Sequence, residues 1–280
     1  MSRIRRRAAF TILVASTTLA TVTLAARAPI DAPARVDVTA DRDVSFEPLA
    51  SCDLTTVAAL AARHPQARQF IVVATTGFSD VDASVDVAVL DDDGTWRCQS
   101  AGLAARVGRA GTRVLAERRS GDGTAPAGVF PLGTMTAWDG DRFQFFGNRP
   151  DPGVRGGYRA VHPDDCWGAT PASADYQRLV ARPGCRAPDE WLTSFGDVYA
   201  HAAVIGANLD PVSGDAPGEP ALAAAIFLHR HSYDAAGRPR STSGCVSLPY
   251  EQLVSVLRDL DPARAPHFAI GPRDWLRTSA

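Results

Sequence analysis

Short apolar runs broken by turn residues limit what this chain can fold into more than any other feature. "QFIVVATT" (69–76) is a β-branched run of strand length, shorter than a buried helix needs. "SVDVAVLDDDGTWRC" sets two alternating segments around an Asp-Gly pair, the pattern of a β-hairpin. "GVFPL" (128–132), "RFQFF" (142–146), "VYAHAAVI" (198–205), "AAAIFLH" (223–229) and "HFAIG" (267–271) read as further short strands. Two segments carry a helical pattern. In "DLTTVAALAARHP", Asp53 is a capping residue and Pro65 a stop. In "PYEQLVSVLRDL", Pro249 suits a first turn, and Leu253, Leu257 and Leu260 share one face. With 23 glycines and 20 prolines to make turns, the expected fold is mainly β. A β-sandwich or open barrel with a few short helices would occupy residues 51–280.

The N-terminus sets the compartment. Arg3, Arg5, Arg6 and Arg7 precede an uncharged run from Ala8 to Ala26. A basic head before an apolar segment predicts a secretory signal peptide or membrane anchor over residues 1–28. Ala26-Arg27-Ala28 resembles a small-x-small cleavage site, although Arg27 sits within it and Pro29 follows; cleavage and anchoring both stay open. Residues 29–50 mix Pro, Ala and Asp with little periodicity and read as a spacer. The expected location is the cell envelope outside the cytoplasm, with membrane contact only through that anchor. A formal net charge of −2 and the lack of a basic stripe with interleaved aromatics argue against a nucleic-acid partner.

Five cysteines in an exported chain leave one over. Most should pair outside the cytoplasm. Cys52 precedes the first helix and Cys98 ends the hairpin; Cys166 and Cys185 flank "WGATPASADYQRLVARPG". Local pairing, Cys52–Cys98 and Cys166–Cys185, leaves Cys245, although spacing alone does not fix connectivity. An unpaired exported thiol is either buried and inert or kept for chemistry.

Cys245 lies in "STSGCVSLP". A cysteine nucleophile needs a base, and the base needs a group to orient it. His229 ends the apolar run "IFLH" and precedes Cys245 by 245 − 229 = 16 residues. A strand end, a Gly/Pro/Arg-rich loop and a return strand would bring both side chains to one rim. Gly244 permits a tight turn that bares backbone N–H groups near the sulfur, an oxyanion-hole arrangement. Ser241, Thr242 and Ser243 are too short to crowd it. A base at this position is expected to raise the thiolate fraction above that of a free thiol.

These residues resemble the catalytic domain of the L,D-transpeptidases, secreted bacterial branch. That family carries a histidine after an apolar strand, then a loop, then a Ser/Thr-x-Gly-Cys turn and an apolar residue. Here these are "IFLH", Arg230 to Arg240, and "STSGCV". "GRAG" (108–111), "SGDGTAPAGVFPLG" (120–133), "CWGATPASADYQRLV", "VYAHAAVIGAN" ending at Asn208, and "APHFAIGP" are similar to its other segments, so the likeness runs from about Gln69 to Trp275. It implies Cys245 as nucleophile, His229 as general base, and the main-chain carbonyl of Arg230 as the group orienting the imidazole. It also implies Gly244 and the Cys245 amide at the oxyanion hole. Ser243 stands where the family usually has a second histidine, and Ser247 where it often has Arg or Asn in contact with substrate. The implied reaction is acyl transfer on a peptidoglycan stem tetrapeptide. The thiolate attacks the diaminopimelyl–D-Ala bond, a thioester forms, and an amine yields a 3→3 cross-link or water trims the stem. No cofactor is implied, and carbapenem-type β-lactams are expected inhibitors.

Two other readings compete. His229-x-His231, with His201 and Cys245, could hold zinc for a peptidase, although no HExxH or paired-cysteine spacing accompanies them. The domain could also bind cell wall without catalysis, given Ser243 and Ser247. His231 otherwise reads as a solvated loop histidine and Asp164–Asp165 as a solvated loop pair. "SGDGTAPAG" reads as a turn, lacking the Gly-Lys-Ser/Thr end of a phosphate loop. Trp167 and Tyr176 either line the substrate groove or pack beneath the Cys166–Cys185 loop.

Overall fold

A computed structural model describes residues 51–170, 173–209 and 221–280. The signal or anchor segment (1–28) and the spacer (29–50) lie outside the described residues. Eleven strands form one sheet. They are β1 (Gln69–Thr75), β2 (Asp82–Leu90), β3 (Trp96–Arg106), β4 (Thr112–Val114), β5 (Ala125–Pro131), β6 (Phe145–Gly147), β7 (Tyr158–Ala160), β8 (Ala202–Val204), β9 (Phe227–Arg230), β10 (Val246–Leu248) and β11 (Pro266–Pro272). Their spatial order is β4-β5-β11-β1-β2-β3-β10-β9-β8-β6-β7. β1 runs parallel to β11 and β9 parallel to β10, while β1–β2 and β2–β3 are antiparallel hairpins. Three helices complete the domain: α1 (Leu54–Arg63), α2 (Tyr250–Asp259) and α3 (Arg273–Thr278).

Alternation along the strands builds three cores. Phe70, Val72 and Ala74 of β1 face Val57 and Leu60 of α1 and Leu276 of α3. Asp53 caps α1 by accepting from the Thr56 N–H, and it pairs with Arg273 and Arg277 of α3. The alternate residues, Ile71 and Val73, point to the central core. There they meet Leu253, Val256 and Leu257 of α2, and Leu228, Val246 and Leu248 from the other half of the sheet. The sheet therefore curls, and its halves are sutured where Leu132 bridges Ile205. The third core lies on the far face of β8 and β9. Ala202, Val204 and Phe227 are covered by Trp167, Leu179, Leu192 and Tyr199. These come from an excursion holding a three-stranded sheet (Asp165–Trp167, Leu179–Ala181, Glu190–Trp191) and a 3₁₀ segment, Leu192–Tyr199.

Two bridges, Cys52–Cys98 and Cys166–Cys185, leave Cys245 as the free cysteine among the described residues. The first ties the start of α1 to β3; the second ties the excursion's first strand to the turn after its second.

Local structure departs from the sequence reading in places. "RFQFF" breaks at Gln144, whose Oε1 accepts the Gly157 N–H at 2.8 Å, so Arg142–Phe143 and Phe145–Gly147 are separate strands. Only Ala202–Val204 of "VYAHAAVI" is strand, because Val198 and Tyr199 close the 3₁₀ segment. Helix α3 was not expected. Asp164–Asp165 is not a solvated pair. Asp165 is fully buried and its carboxylate takes a fork of hydrogen bonds from Arg159 at 2.7 and 2.8 Å, with further donation from the Trp138 indole and the His162 N–H. A buried carboxylate is tolerable when paired and hydrogen-bonded in this way, so Asp165 anchors the excursion.

Candidate active site

β9 and β10 position the site. Their parallel register sets Leu228 opposite Val246 and His229 opposite Ser247. Leu228, Val246 and Leu248 enter the central core. Period-two alternation then puts Phe227, His229, Cys245 and Ser247 on the opposite face, where Phe227 and Cys245 pack with Tyr199. Cys245 and His229 thus share one face of neighbouring strands, offset by two residues along them. With strands about 4.8 Å apart and about 3.3 Å rise per residue, their Cα atoms lie roughly 8 Å apart.

The turn before Cys245 is tightly held. The Thr242 hydroxyl accepts from Gly244 N–H at 3.1 Å and donates to the Cys245 carbonyl at 2.6 Å, while Thr242 exchanges backbone hydrogen bonds with Val107 and Arg109. A Cβ on Gly244 would lie 3.1 Å from the Thr124 carbonyl oxygen, which accounts for glycine there. The Gly244 N–H is consumed by Thr242, so of the two amides expected at an oxyanion hole only that of Cys245 stays open. Ser243 is exposed at the cavity lip.

His229 is buried and its ring lies edge-on to Tyr199, centroids 5.6 Å apart. Its Nδ1 lies 2.7 Å from the Arg230 carbonyl oxygen. A carbonyl only accepts, so Nδ1 carries the proton, and Nε2 presents a lone pair in the neutral ring. The Arg230 guanidinium points to the other face, toward Asp197 (2.7 Å) and the Tyr250 ring.

The resting pair is neutral. Burial pushes the Cys245 thiol up to about 12, with the Glu190 carboxylate adding to the shift. A backbone hydrogen bond from Phe227 and the Arg118 guanidinium act the other way. Burial drops His229 to about 4, against the hydrogen bond to Arg230. The thiol donates to the Ala225 carbonyl at 3.4 Å. Burial outweighs every group that favours the anion, which works against the expected excess of thiolate.

Cys245 opens into a cavity of about 600 Å³, lined also by Arg118, Glu190 and a run of small apolar residues including Ala221, Ala224, Ala225 and Ile226. Arg118 is 1% exposed. It donates to the Thr124 carbonyl at 3.0 Å and to the Leu222 carbonyl. Burial lowers its pKa, but a guanidinium still keeps its charge at neutral pH. Glu190 is half-buried, accepts from the Tyr199 hydroxyl at 2.6 Å, and is pushed by burial up to about 7. Neither residue was singled out in the sequence. Arg118 sits two residues before "SGDGTAPAG" and carries no motif of its own; Glu190 becomes a site residue only through the fold of the excursion.

Four expected residues are placed elsewhere. Ser247 is fully buried, its hydroxyl lies 2.8 Å from Nδ1 of His231, and it does not line the cavity. His231 is 5% exposed rather than solvated, because the alternation of β9 carries past its end and turns the ring inward. Trp167 is fully buried, its N–H donating to Gln177 Oε1 at 2.9 Å and its ring edge-on to Phe227. The Tyr176 hydroxyl donates to the Ala223 carbonyl at 2.9 Å. Both aromatics pack beneath the bridged segment and neither lines the cavity.

The zinc arrangement does not assemble. His231 is engaged by Ser247, and His201 sits between the hydroxyls of Tyr158 (3.0 Å) and Tyr250 (3.3 Å). Among the described residues no three His, Cys, Asp or Glu side chains are grouped to hold a metal ion. No family model, curated protein or solved structure matches the chain.

Proposed function

We propose that this protein is an exported cysteine acyltransferase of the L,D-transpeptidase type, acting on peptidoglycan stem peptides in the cell envelope. One observation carries the reading. His229 is locked by the Arg230 carbonyl into the tautomer whose Nε2 is basic, on the same strand face as a free cysteine that opens into a cavity. That is the requirement for a cysteine nucleophile served by a general base.

In this mechanism the thiol proton passes to His229 Nε2 as sulfur bonds to the carbonyl carbon between the diaminopimelyl residue and D-Ala. The Cys245 N–H stabilises the developing oxyanion. The C–N bond breaks, the imidazolium returns its proton to the departing D-Ala amine, and a thioester remains. A second stem's amine attacks it to give a 3→3 cross-link, or water gives the trimmed tripeptide, with His229 again taking the proton. Because both groups start neutral, the imidazolium exists only during turnover, and the low pKa of His229 makes it a ready proton donor to the leaving amine. The residues supply nucleophile, base and anion site, so the route needs no metal.

The test is mass spectrometry of purified muropeptides incubated with the protein. The reading requires release of D-Ala with tripeptide or 3→3 dimers among the products, and loss of both with Cys245→Ser. An unchanged muropeptide profile overturns it and favours a wall-binding domain without catalysis.

A further inference from the structure

The oxyanion site is one donor short. The Gly244 N–H is taken by the Thr242 hydroxyl at 3.1 Å, so the Cys245 N–H stands alone where the tetrahedral intermediate of acyl transfer needs several donors. Cys245 shares its cavity with Glu190. One carboxyl oxygen of Glu190, Oε2, accepts from the buried Tyr199 hydroxyl at 2.6 Å. Among the described residues no donor reaches the other oxygen, Oε1, and the side chain is half-buried on the cavity wall. Tyr199 also sets its ring edge-on to His229 and shares an apolar cluster with Cys245. One buried side chain thus holds both the histidine and the glutamate beside the sulfur.

The charge that develops at Cys245 decides which form of Glu190 can serve it. Acylation builds negative charge on sulfur and then on the carbonyl oxygen. An ionised Glu190 opposes this, since its charge adds to the burial that holds the thiol at about 12. A protonated Glu190 brings no such charge and presents an O–H donor. Burial favours that neutral acid, lifting Glu190 from 4.5 to about 7 against the hydrogen bond from Tyr199. The groups facing it do not titrate near neutrality. Burial raises Tyr199 well above 10 and Cys245 to about 12. On the same cavity Arg118, ion-paired with Asp122 at 3.9 Å, keeps its charge.

We propose that Glu190 acts as a carboxylic acid, its Oε1–H donating to the oxyanion that forms when Cys245 attacks the acyl donor. This rests on the acyl-transfer reading and supplies the donor that Gly244 does not. A carboxylic acid kept neutral by its site can stabilise an oxyanion in this way. As the C–S bond forms, the carbonyl π pair moves to oxygen and the thiol proton to His229 Nε2. Glu190 donates a hydrogen bond and keeps its own proton. On collapse the C=O bond re-forms, the C–N bond breaks and His229 protonates the leaving amine, so Glu190 ends the step as it began.

The experiment is single-turnover acylation of the full chain by an N-acetylated stem tetrapeptide across about pH 6–8, quenched in acid and read by intact-protein mass spectrometry. His229 is dropped to about 4, so the base is already neutral over this range. The wild-type rate should fall about tenfold across it as Glu190 ionises, whereas a reaction driven by thiolate rises. Glu190→Gln keeps an acceptor for Tyr199 and a neutral donor toward the cavity, so its profile should be level. Glu190→Ala should be slower than wild type at the acid end by about 10²–10³, the effect of losing one oxyanion donor. Should it not fold, the wild-type and Glu190→Gln profiles decide alone. A wild-type rate that is level or rises, a Glu190→Gln profile that keeps the wild-type fall, or Gln and Ala variants that are equally slow overturns the proposal and leaves acyl transfer standing. No adduct at any pH overturns acyl transfer and the proposal with it.

Discussion

Cys245 should be a slow nucleophile toward reagents that need thiolate. Burial and the Glu190 carboxylate lift the thiol from 9.0 to about 12. At pH 7 a thiol of ordinary pKa is about 1% ionised and one at 12 about 0.001%, a loss of about 10³ in thiolate. Iodoacetamide reads that fraction directly, because it alkylates thiolate and engages no general base. The native chain should therefore be alkylated about 10³-fold more slowly at pH 7 than the same chain in denaturant with its bridges intact. Its rate should climb about tenfold per pH unit from 7 to 11 without levelling, whereas the denatured chain levels near pH 9. Mass spectrometry of the modified peptide at timed quenches gives both curves. Native alkylation as fast as the denatured rate at pH 7, or a plateau below pH 8, would mean a standing thiolate–imidazolium pair and refute the neutral resting state.

Other expectations follow from the same contacts. Glu190 is raised from 4.5 to about 7, so its contribution to stability is complete below about pH 4.5 and is lost as pH rises through 7. Glu190→Gln, which still accepts from Tyr199, should recover up to about 3 kcal/mol at pH 8 and nothing at pH 4 in urea titrations, and a pH-independent difference counts against it. The chain-entropy contribution of the bridges, with separations of 46 and 19 residues, is about 4 and about 3 kcal/mol, so Cys52→Ala/Cys98→Ala should destabilise more than Cys166→Ala/Cys185→Ala. Ser247→Ala strips the buried Nδ1 of His231 of its partner and should cost about 1–3 kcal/mol of stability while leaving Cys245 acylation within a few-fold. A large rate loss there would place Ser247 in the chemistry.

What the sequence revealed depended on how local each feature was. Cys245 and His229 are legible because a 16-residue strand–loop–strand return brings them together, and period-two alternation fixes their common face. The same alternation, extended past the end of β9, would have turned His231 inward; reading "RHSYD" as loop hid it. The resemblance marks position 247 as a place of substrate contact, yet Ser247, as the second residue of β10, has to share a face with Cys245 and meet whatever side chain lies across from it. Asp165 looked solvated because its partner, Arg159, comes from a different strand and only the folded excursion shuts both from water. Arg118 and Glu190 were out of reach for the same reason. Nothing in "ERRSG" or "PDEW" marks a charged side chain that will end up on a cavity wall, since that depends on contacts with residues far along the chain.

The central claim is that Cys245 attacks an acyl donor with His229 Nε2 as its base. Intact-protein mass spectrometry of the full chain, quenched in acid during reaction with a stem tetrapeptide, reads it most directly. A covalent adduct equal to the donor minus D-Ala should map to Cys245, with its formation slowed by roughly 10²–10⁴ in His229→Ala and little changed in His231→Ala. No adduct, an adduct on another residue, or a His229→Ala chain that acylates at the wild-type rate would contradict the account.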